Sequence, residues 1–474
     1  MARLPGTYPN IQDGGLGMIA DAAEGQRALI GVSSRGPFNV PLSFSDPTQV
    51  VTKLGFGPLS TALVDQLSQG GGTVVGMRLE AGIAGAFEPD LNNPDEVVGI
   101  TGQPLESLDL IVTITTGGEV GDAAFTYSLD GGDNVSIPFA TAAVFEVPGT
   151  GVTLTFTSTD PYVAGSRYRF GVAAPQASVG DVQRGVRTLF DSPMLYEYIH
   201  LCQPSDNAVW AALSALAQEA EGQFRYIFFI AETVAPEGDP DVWVQNLLVQ
   251  KETFSSKRVL LCAAYGEVAD SITGQFRVQN LASRLGARLS RSKVSENPGW
   301  VQRGAIDGLI VAAPFVDTPF GKQPLYNNGH ALTLDTAGFT AIHQIPSRDG
   351  YFFVDGRMAS EATSDYRTVP YRRVMDKAVA LVHSALVDHV QEGVDPVDLD
   401  VSLAALIADA ESPLRLMAGN GEIRGGRVTI PPGQDLLASQ QLRVVVRIIP
   451  LGYLREIDLD IGFENPYLYR EDAR

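Results

Sequence analysis

The sequence predicts a multidomain protein of mixed α+β and α/β class: a layered α/β core, an inserted all-β domain, and a C-terminal helix followed by a β-hairpin. Strand-like and helix-like segments alternate over residues 26–94 and again over 179–360, which is typical of a largely parallel sheet covered by helices. Between residues 95 and 178 no helical periodicity survives. From residue 361 to 474 one long amphipathic segment precedes two β-prone runs, which predicts a separate C-terminal domain.

Composition indicates a globular chain that folds around a substantial core. The 474 residues are 45% hydrophobic and 19% charged, and no apolar run reaches the length of a membrane span. The N-terminus lacks the apolar core of a signal peptide, so we expect a soluble protein made in a cytoplasm. The net charge of −21 disfavours association with free nucleic acid.

The elements of the core follow in order along the chain. Residues 1–25 are rich in glycine and proline and predict an arm that does not fold on itself. RALIGVSS predicts a strand, the segment after it helices, and Gly70–Gly72 ends the last helix before a strand at residues 73–80. After Val179, strands such as FRYIFFIAE and RVLLCAAY alternate with helices such as DNAVWAALSALAQEAEG.

The stretch at residues 95–178 has the pattern of many short strands. Runs such as LDLIVTITT, VTLTFTS and RYRFGV are separated by Gly-Gly, Asp-Gly-Gly and Pro-Gly turns at a spacing of about ten residues. This pattern predicts a β-sandwich or small barrel. We interpret it as an inserted domain.

A long helix is predicted at residues 370–391, with proline at its first position and an apolar stripe along one side. Arg372, Arg373 and Lys377 lie in its first two turns, where positive charge opposes the helix dipole. Two interpretations stay open. The three residues form a basic patch for an acidic partner, or they belong to a solvated face or pair within the chain, for instance with Asp376.

Two β-prone runs, residues 442–449 and 454–461, are separated by Pro-Leu-Gly-Tyr and predict a hairpin. Each run alternates between an apolar and a charged face. Antiparallel closure would set Arg447 opposite Glu456 and Arg443 opposite Asp460, and a slip of one residue would break these pairs. A lone hairpin is marginal in water, so further strands or a helix are needed to stabilise it.

The motifs of common enzymes and metal sites are not found in the sequence. There is no phosphate-binding G-x-x-x-x-G-K-[ST] loop, no G-x-G-x-x-G after a strand and no G-x-S-x-G elbow, so neither a cofactor nor a catalytic residue is assigned. The five histidines are scattered, and Cys202 and Cys262 lie in apolar runs typical of core thiols on adjacent strands. The acidic loops at residues 130–133 and 395–400 fit a turn and a helix entry better than calcium sites.

Several segments resemble a known family by their order and spacing. These segments are LPGTY near the N-terminus, ALIGVSSRGPFNVP, LSQGGGTVVGMRLE, DGYFFVDGRMA, VPYRRVMDKAV, and the C-terminal IPPGQDLLASQQLRVVVRIIPLGYLREIDLDIGF. Together they are similar to the contractile tail sheath proteins of bacteriophages, of the Mu-like kind, and of related injection machines. Val354-Asp355 stands where the family usually has an aromatic-containing pair.

The resemblance implies a structural subunit of the virion tail, assembled in the host bacterial cytoplasm. It implies a helical homopolymer around a tail tube, with baseplate and terminator proteins as further partners, which contracts without nucleotide to eject the genome. It also implies that the inserted β domain faces outward, and that neighbouring subunits are linked by strand addition at a sheet edge. The N-terminal arm, with Leu4, Tyr8 and Ile11, would be donated, and Arg372, Arg373 and Lys377 would contact the tube. The linking sheet would contain Arg443, Val445, Arg447, Glu456, Asp458 and Asp460.

Two other classes of function are alternatives to the sheath subunit. The first is another component of a tail or injection machine, such as a tube, baseplate or capsid protein. The second is an α/β enzyme with an unrecognised site, which a buried pocket with convergent polar groups would favour.

Overall fold

A seven-stranded sheet forms the central layer of the molecule. The computed structural model describes residues 24–88, 97–319, 321–395 and 403–464. The strands lie in the order β2-β3-β1-β12-β13-β14-β20, and every neighbouring pair is parallel except β2 with β3. Their bounds are β1 (Arg27–Gly31), β2 (Pro41–Phe44), β3 (Val74–Arg78), β12 (Tyr198–Pro204), β13 (Phe228–Glu232), β14 (Val259–Cys262) and β20 (Phe339–Thr340).

Helices cover both faces of this sheet. The inner strands carry apolar side chains on both sides, which would be exposed to water without the helices. All five residues of β1 are buried, and Trp210 and Phe228 lie fully buried in the main core. The helices are α1 (Pro47–Leu54), α2 (Pro58–Gly70), α3 (Val179–Asp191), α4 (Asn207–Gly222), α5 (Pro240–Glu252), α6 (Ala282–Arg291) and α7 (Asn328–Thr336). The predicted layered α/β core is confirmed.

Local signals explain where these helices begin. The Asp46 side chain accepts a hydrogen bond from the Thr48 backbone amide at the start of α1, and Asp206 caps α4 through Val209. Ser178 and Asp181 form a reciprocal capping box at the start of α3. Each cap satisfies backbone donors that the first helical turn leaves unpaired.

The β-rich stretch folds into two antiparallel sheets around a core of its own. One sheet has the order β4-β11-β6-β7-β8 and the other β5-β10-β9. Phe125 and Phe156 are buried between them, with ring centroids 4.7 Å apart. The strands are β4 (Ala86–Glu88), β5 (Val98–Gly102), β6 (Leu108–Thr116), β7 (Ala124–Ser128), β8 (Phe139–Ala140), β9 (Val144–Val147), β10 (Val152–Phe156) and β11 (Arg167–Ala173). Because β4 pairs with β11, this unit starts ahead of residue 95.

Three smaller sheets extend the α/β core between α5 and the C-terminal domain. One has the order β16-β15-β17, and the others are the antiparallel pairs β18 with β19 and β21 with β22. Their strands are β15 (Tyr265–Ala269), β16 (Phe276–Asn280), β17 (Leu309–Ala312), β18 (Phe315–Thr318), β19 (Gly321–Pro324), β21 (Ile342–Gln344) and β22 (Tyr351–Phe353).

Three helices and a two-stranded sheet make up the described part of the C-terminal domain. The elements are α8 (Val369–Val387), α9 (Ala404–Gly419), β23 (Ile423–Thr429), α10 (Leu436–Ser439) and β24 (Val445–Pro450). Leu381 of α8, Leu414 and Met417 of α9, and Val428 of β23 share one buried cluster. The predicted long helix is confirmed, and it ends at Val387 rather than at residue 391.

The predicted hairpin between residues 442–449 and 454–461 is wrong. β24 pairs instead with β23, which sets Arg447 opposite Arg427 and Val446 opposite Val428. Residues 451–464 form no strand. β23 is the better partner because its Ile423 and Val428 are buried against α8 and α9, whereas each charge pair of the predicted hairpin would contribute only about 0.2–1 kcal/mol.

Candidate functional site

The residues singled out for chemistry do not form a reactive centre. Within the described part of the chain, no three histidine, cysteine or acidic side chains are placed to hold a metal ion. Cys202 on β12 and Cys262 on β14 are buried and free. The sequence predicted that their strands are adjacent, and this is wrong, because β13 lies between them. Burial raises the pKa of the Cys262 thiol to about 12, which keeps it protonated and unreactive.

The acidic loop at residues 130–133 is a turn, and its carboxylates are engaged within the chain. Asp130 accepts hydrogen bonds from the Ser128 hydroxyl at 2.7 Å and from the Asn134 backbone amide at 2.9 Å. Asp133 pairs with Lys322 at 2.5 Å. Most of the second acidic loop, at 395–400, lies outside the described residues. In the described helices, no segment combines the length and apolar character of a membrane span.

The basic residues of α8 are buried or half-buried and are paired within the chain. The Arg373 side chain is fully buried, and its Nε and Nη2 atoms donate to the two carboxylate oxygens of Glu197, the latter at 3.1 Å. Its Nη1 atom also donates to the backbone oxygen of Lys293 at 3.3 Å. Burial disfavours the charge on Arg373, but the attraction of Glu197 outweighs this cost and raises the pKa of Arg373 above its usual value.

The two neighbouring basic residues are held in the same way. Arg372 donates through Nε to Asp376 Oδ2 at 2.9 Å, and Arg258 approaches Asp376 Oδ1 at 3.1 Å from the end of the sheet. Lys377 pairs with Glu422 at 2.7 Å and with Glu24. These contacts tie α8 to the α/β core on one side and to the start of β23 on the other.

Of the two interpretations left open by the sequence, the structure shows pairing within the chain, and Arg372 pairs with Asp376 itself. The spacing of four residues between them was the available signal. No comparable signal pointed to Glu197, which lies 176 residues from Arg373 in sequence. Contact of Arg372, Arg373 and Lys377 with a tube stays a prediction. In this conformation all three side chains form ion pairs within the chain.

The β23–β24 sheet presents a basic surface and two open edges. Among the described residues it contains only these two strands. Arg427 and Arg447 stand directly opposite each other and are exposed, as is Arg443, whereas Val445 is half-buried. Like charges in directly opposite positions destabilise a sheet, and unpaired edges favour pairing with a further strand. The sheet is therefore incomplete in both charge and hydrogen bonding.

Residues 454–461, which the sequence predicts to be a strand, lie outside any sheet, as does the whole of 451–464. Ile457, Leu459 and Ile461 are 75%, 74% and 83% exposed. They alternate with the exposed acidic residues Glu456, Asp458 and Asp460. An exposed run of this kind is a candidate interaction surface, because burying its apolar side would be strongly favourable. The proposed arm residues Leu4, Tyr8 and Ile11 lie outside the described residues.

A histidine just after α8 links this helix to α9. His389 Nδ1 lies 2.5 Å from Glu392 Oε2, and its Nε2 lies 3.0 Å from Asp409 Oδ2 on α9. Hydrogen bonds to Glu392 and then to Asp409 raise the pKa of His389. Because the folded pKa is above the unfolded one, the stabilisation is fully present below the unfolded pKa. It is lost as pH rises through the folded pKa.

We therefore expect the melting temperature of the wild-type protein to fall more steeply than that of His389→Gln between about pH 6 and pH 8. Thermal unfolding followed by circular dichroism at several pH values measures the two slopes. The matched control is His383→Gln, since His383 stacks on Phe224 with ring centroids 4.7 Å apart and has no carboxylate partner among the described contacts. Equal slopes for wild type and His389→Gln would contradict the assignment.

Comparison with known proteins finds a matching family and a relative of this chain. A family model described as "DUF2586, N-terminal domain" matches residues 4–357, and one described as "DUF2586, C-terminal domain" matches residues 365–468. A protein named "Putative tail sheath protein", from Haemophilus phage HP1, is 25% identical over 237 residues. The match covers 47% of this chain, and the chain spans 57% of the length of that relative.

Two solved structures share the architecture over nearly the whole chain. The helical sheath of the anti-feeding prophage in its contracted state has a TM-score of 0.56 at 14% identity, over 98% of this chain and 100% of that one. A chain in the baseplate structure of the same particle has a TM-score of 0.56 at 12% identity, again over 98% and 100%. At these identities the likeness shows a common fold.

Proposed function

The chain belongs to the DUF2586 family, and from that premise we propose that it is the structural subunit of a contractile phage tail sheath. The subunits polymerise helically as stacked rings around a tail tube. Contraction needs no nucleotide and drives the tube through the host envelope, so the protein has a mechanical rather than an enzymatic role. The relative in phage HP1 and the shared sheath fold support this proposal.

One observation on this chain carries the proposal: a strand-like segment without a sheet follows directly after a sheet that lacks a third strand. Adding the segment to the sheet of its own chain would require a tight reversal after Pro450, and in the described structure the segment pairs with no strand. Strand addition between subunits would supply hydrogen-bond partners for the open edge of the sheet and would bury the apolar side chains of the segment. The N-terminal arm would be donated in a similar way.

The register expected for the hairpin is proposed to form between subunits. Glu456 of one copy would lie opposite Arg447 of the next, and Asp460 opposite Arg443. This arrangement would also relieve the repulsion between Arg427 and Arg447, which face each other in the isolated sheet. The charges select the partner strand and its register, while the apolar residues supply most of the free energy.

The remaining partners follow from the same proposal. The polymer would load onto a tail tube, begin at a baseplate and end at a terminator protein, and it would assemble in the host cytoplasm before becoming part of the virion tail. A common fold with a chain in a baseplate structure supports the baseplate contact. A metastable extended array that buries more apolar surface on contraction would supply the energy.

Electron microscopy of the purified protein over a range of concentrations tests the proposal. We expect long hollow polymers that are wider than a tail tube. A protein that stays monomeric at high concentration would contradict the proposal, and narrow tubes or closed rings without elongation would favour a tube or baseplate component instead.

The proposed register predicts a charge-swap effect. Arg447→Glu alone is expected to reduce polymer yield about tenfold, because it would face Glu456 of the next copy and replace attraction by repulsion. The double variant Arg447→Glu, Glu456→Arg restores the opposite-charge pair and should recover most of the yield. Sedimentation of polymers measures both. The control Arg415→Glu changes an exposed charge on α9 and should assemble normally. A double variant as defective as the single one would overturn the register.

A further inference from the structure

Two buried carboxylates lie side by side at one end of the α/β core. Asp335, near the end of α7, and Asp355, just after β22, have side chains that are 0% and 2% exposed. Arg357 donates through Nε and Nη2 to both oxygens of Asp335, at 3.0 Å each, and its Nε lies 3.5 Å from Asp355 Oδ2. Asn297 Nδ2 donates to Asp355 Oδ1 at 2.5 Å. One arginine of the core therefore serves two buried aspartates.

A second arginine reaches this pair from the C-terminal segment. Arg455 pairs through Nη2 with Asp335 Oδ2, and its Nη1 lies 3.5 Å from Asp355 Oδ2. Two residues earlier, Tyr453 packs against Tyr371 of α8 with ring centroids 5.9 Å apart. Burial raises the pKa of Tyr453 to about 12. Residues 451–464 are otherwise exposed, so Tyr453 and Arg455 are the points at which this segment is held.

The charges of the pair explain why the second arginine is needed. Without Arg455, two desolvated carboxylates would share the single positive charge of Arg357, and like charges at this separation disfavour joint ionisation. Burial raises the pKa of both Asp335 and Asp355, because a desolvated carboxylate is disfavoured in its charged form. Asp355 Oδ2 is buried and accepts no hydrogen bond within the described structure. With Arg455 in place, two arginines neutralise the two carboxylates.

We propose that Asp335, Asp355 and Arg357 form a guanidinium-binding socket, which anchors the C-terminal segment of the same chain through Arg455. Its role in assembly rests on the proposed function. An anchor at Arg455 fixes the point from which residues 456–464 extend, and at about 3.3 Å per residue they reach roughly 30 Å from the socket. A strand with a fixed start meets its partner at a high effective concentration and loses less entropy on pairing.

Arg455→Ala tests the anchor in the isolated subunit. We expect chymotrypsin to cut after Tyr453 roughly tenfold faster than in wild type, because the segment loses a charged and partly buried contact. Arg455→Lys keeps the charge but cannot span both aspartates, and should give an intermediate rate. The control Arg348→Ala removes an exposed arginine far along the chain from the segment and should leave the rate unchanged. Equal cleavage rates for wild type and Arg455→Ala would overturn the anchor.

Chemical rescue tests the socket itself. Guanidinium chloride at about 10 mM is well below the molar concentrations that unfold proteins, and should raise the melting temperature of Arg455→Ala by filling the socket. Sodium chloride at equal concentration should not. In the double variant Arg455→Ala, Asp355→Asn the rescue should shrink, because only one buried carboxylate remains. Equal rescue by both salts would overturn the socket.

Assembly assays separate this inference from the proposed function. Wild-type protein that fails to polymerise would count against the sheath role, while the cleavage and rescue results would still decide whether the socket exists. If wild type polymerises, we expect Arg455→Ala to assemble about tenfold more slowly even in guanidinium, because the free ion fills the socket without tethering the strand. Assembly of Arg455→Ala at the wild-type rate would overturn the anchoring role.

Discussion

Replacing Arg373 by alanine is expected to lower the free energy of unfolding of the domain that contains it by about 3–5 kcal/mol. The Arg373 side chain is fully buried and pairs through two hydrogen bonds with Glu197, which is itself almost buried. Removing the guanidinium leaves the carboxylate uncompensated in a site from which water is excluded. The backbone oxygens of Ser292 and Lys293 also lose their donor.

Urea denaturation followed by circular dichroism measures this loss. Arg415→Ala is the matched control, because Arg415 also pairs with a carboxylate on a helix but is 67% exposed, and it should cost less than about 1 kcal/mol. Combining Arg373→Met with Glu197→Gln removes both charges and should recover part of the stability. A loss below about 1 kcal/mol for Arg373→Ala would contradict the buried pair.

The same pair affects how tube contact can be tested. Arg373→Glu would place two carboxylates together in the buried site and is expected to unfold the domain. A failure of that variant to load onto tubes would then report lost stability. Lys377 is paired with Glu24 and Glu422, so its reversal carries the same difficulty.

Truncation after Arg455 is expected to abolish polymerisation while leaving the subunit folded. Of the removed residues 456–474, the described ones, 456–464, are exposed and make no strand pairing in the subunit, so we expect an unchanged melting temperature. In the polymer, burial of Ile457, Leu459 and Ile461 would contribute about 4 kcal/mol or more, which is roughly a thousandfold in the critical concentration. Light scattering and electron microscopy across concentrations measure this change. Deletion of residues 1–20 should likewise give a folded subunit that does not polymerise.

Two variants of full length separate apolar burial from charge in this segment. Replacing Ile457, Leu459 and Ile461 by serine keeps the length and the acidic residues, and should mimic the truncation. Replacing Glu456, Asp458 and Asp460 by asparagine or glutamine keeps the apolar face, and should weaken assembly only about tenfold. Polymerisation of the truncated protein at the wild-type concentration would refute strand exchange by this segment.

Much of the architecture could be predicted from the sequence, because the period of apolar residues is a local property. The short apolar runs RALIG and VVGMR indicate buried strands, and the apolar stripe along residues 370–391 indicates a helix, whatever lies elsewhere in the chain. The predicted hairpin was wrong because the pairing of strands is not a local property. Residues 442–449 are indeed strand-forming, but their period says nothing about which strand lies beside them.

The sequence by itself therefore determined the elements, their order, the β-rich insertion and the resemblance to sheath proteins. Only the tertiary structure decided the partners: β24 with β23, Arg373 with Glu197, and Arg455 with an aspartate 120 residues away. Pairing partners depend on which groups the packed helices bring together and shield from water. A buried charge must be paired, and the apolar side chains of a strand must be buried. In this chain the strand-prone pattern of residues 454–461 is specified locally, and the sheet that this segment completes is proposed to belong to another copy.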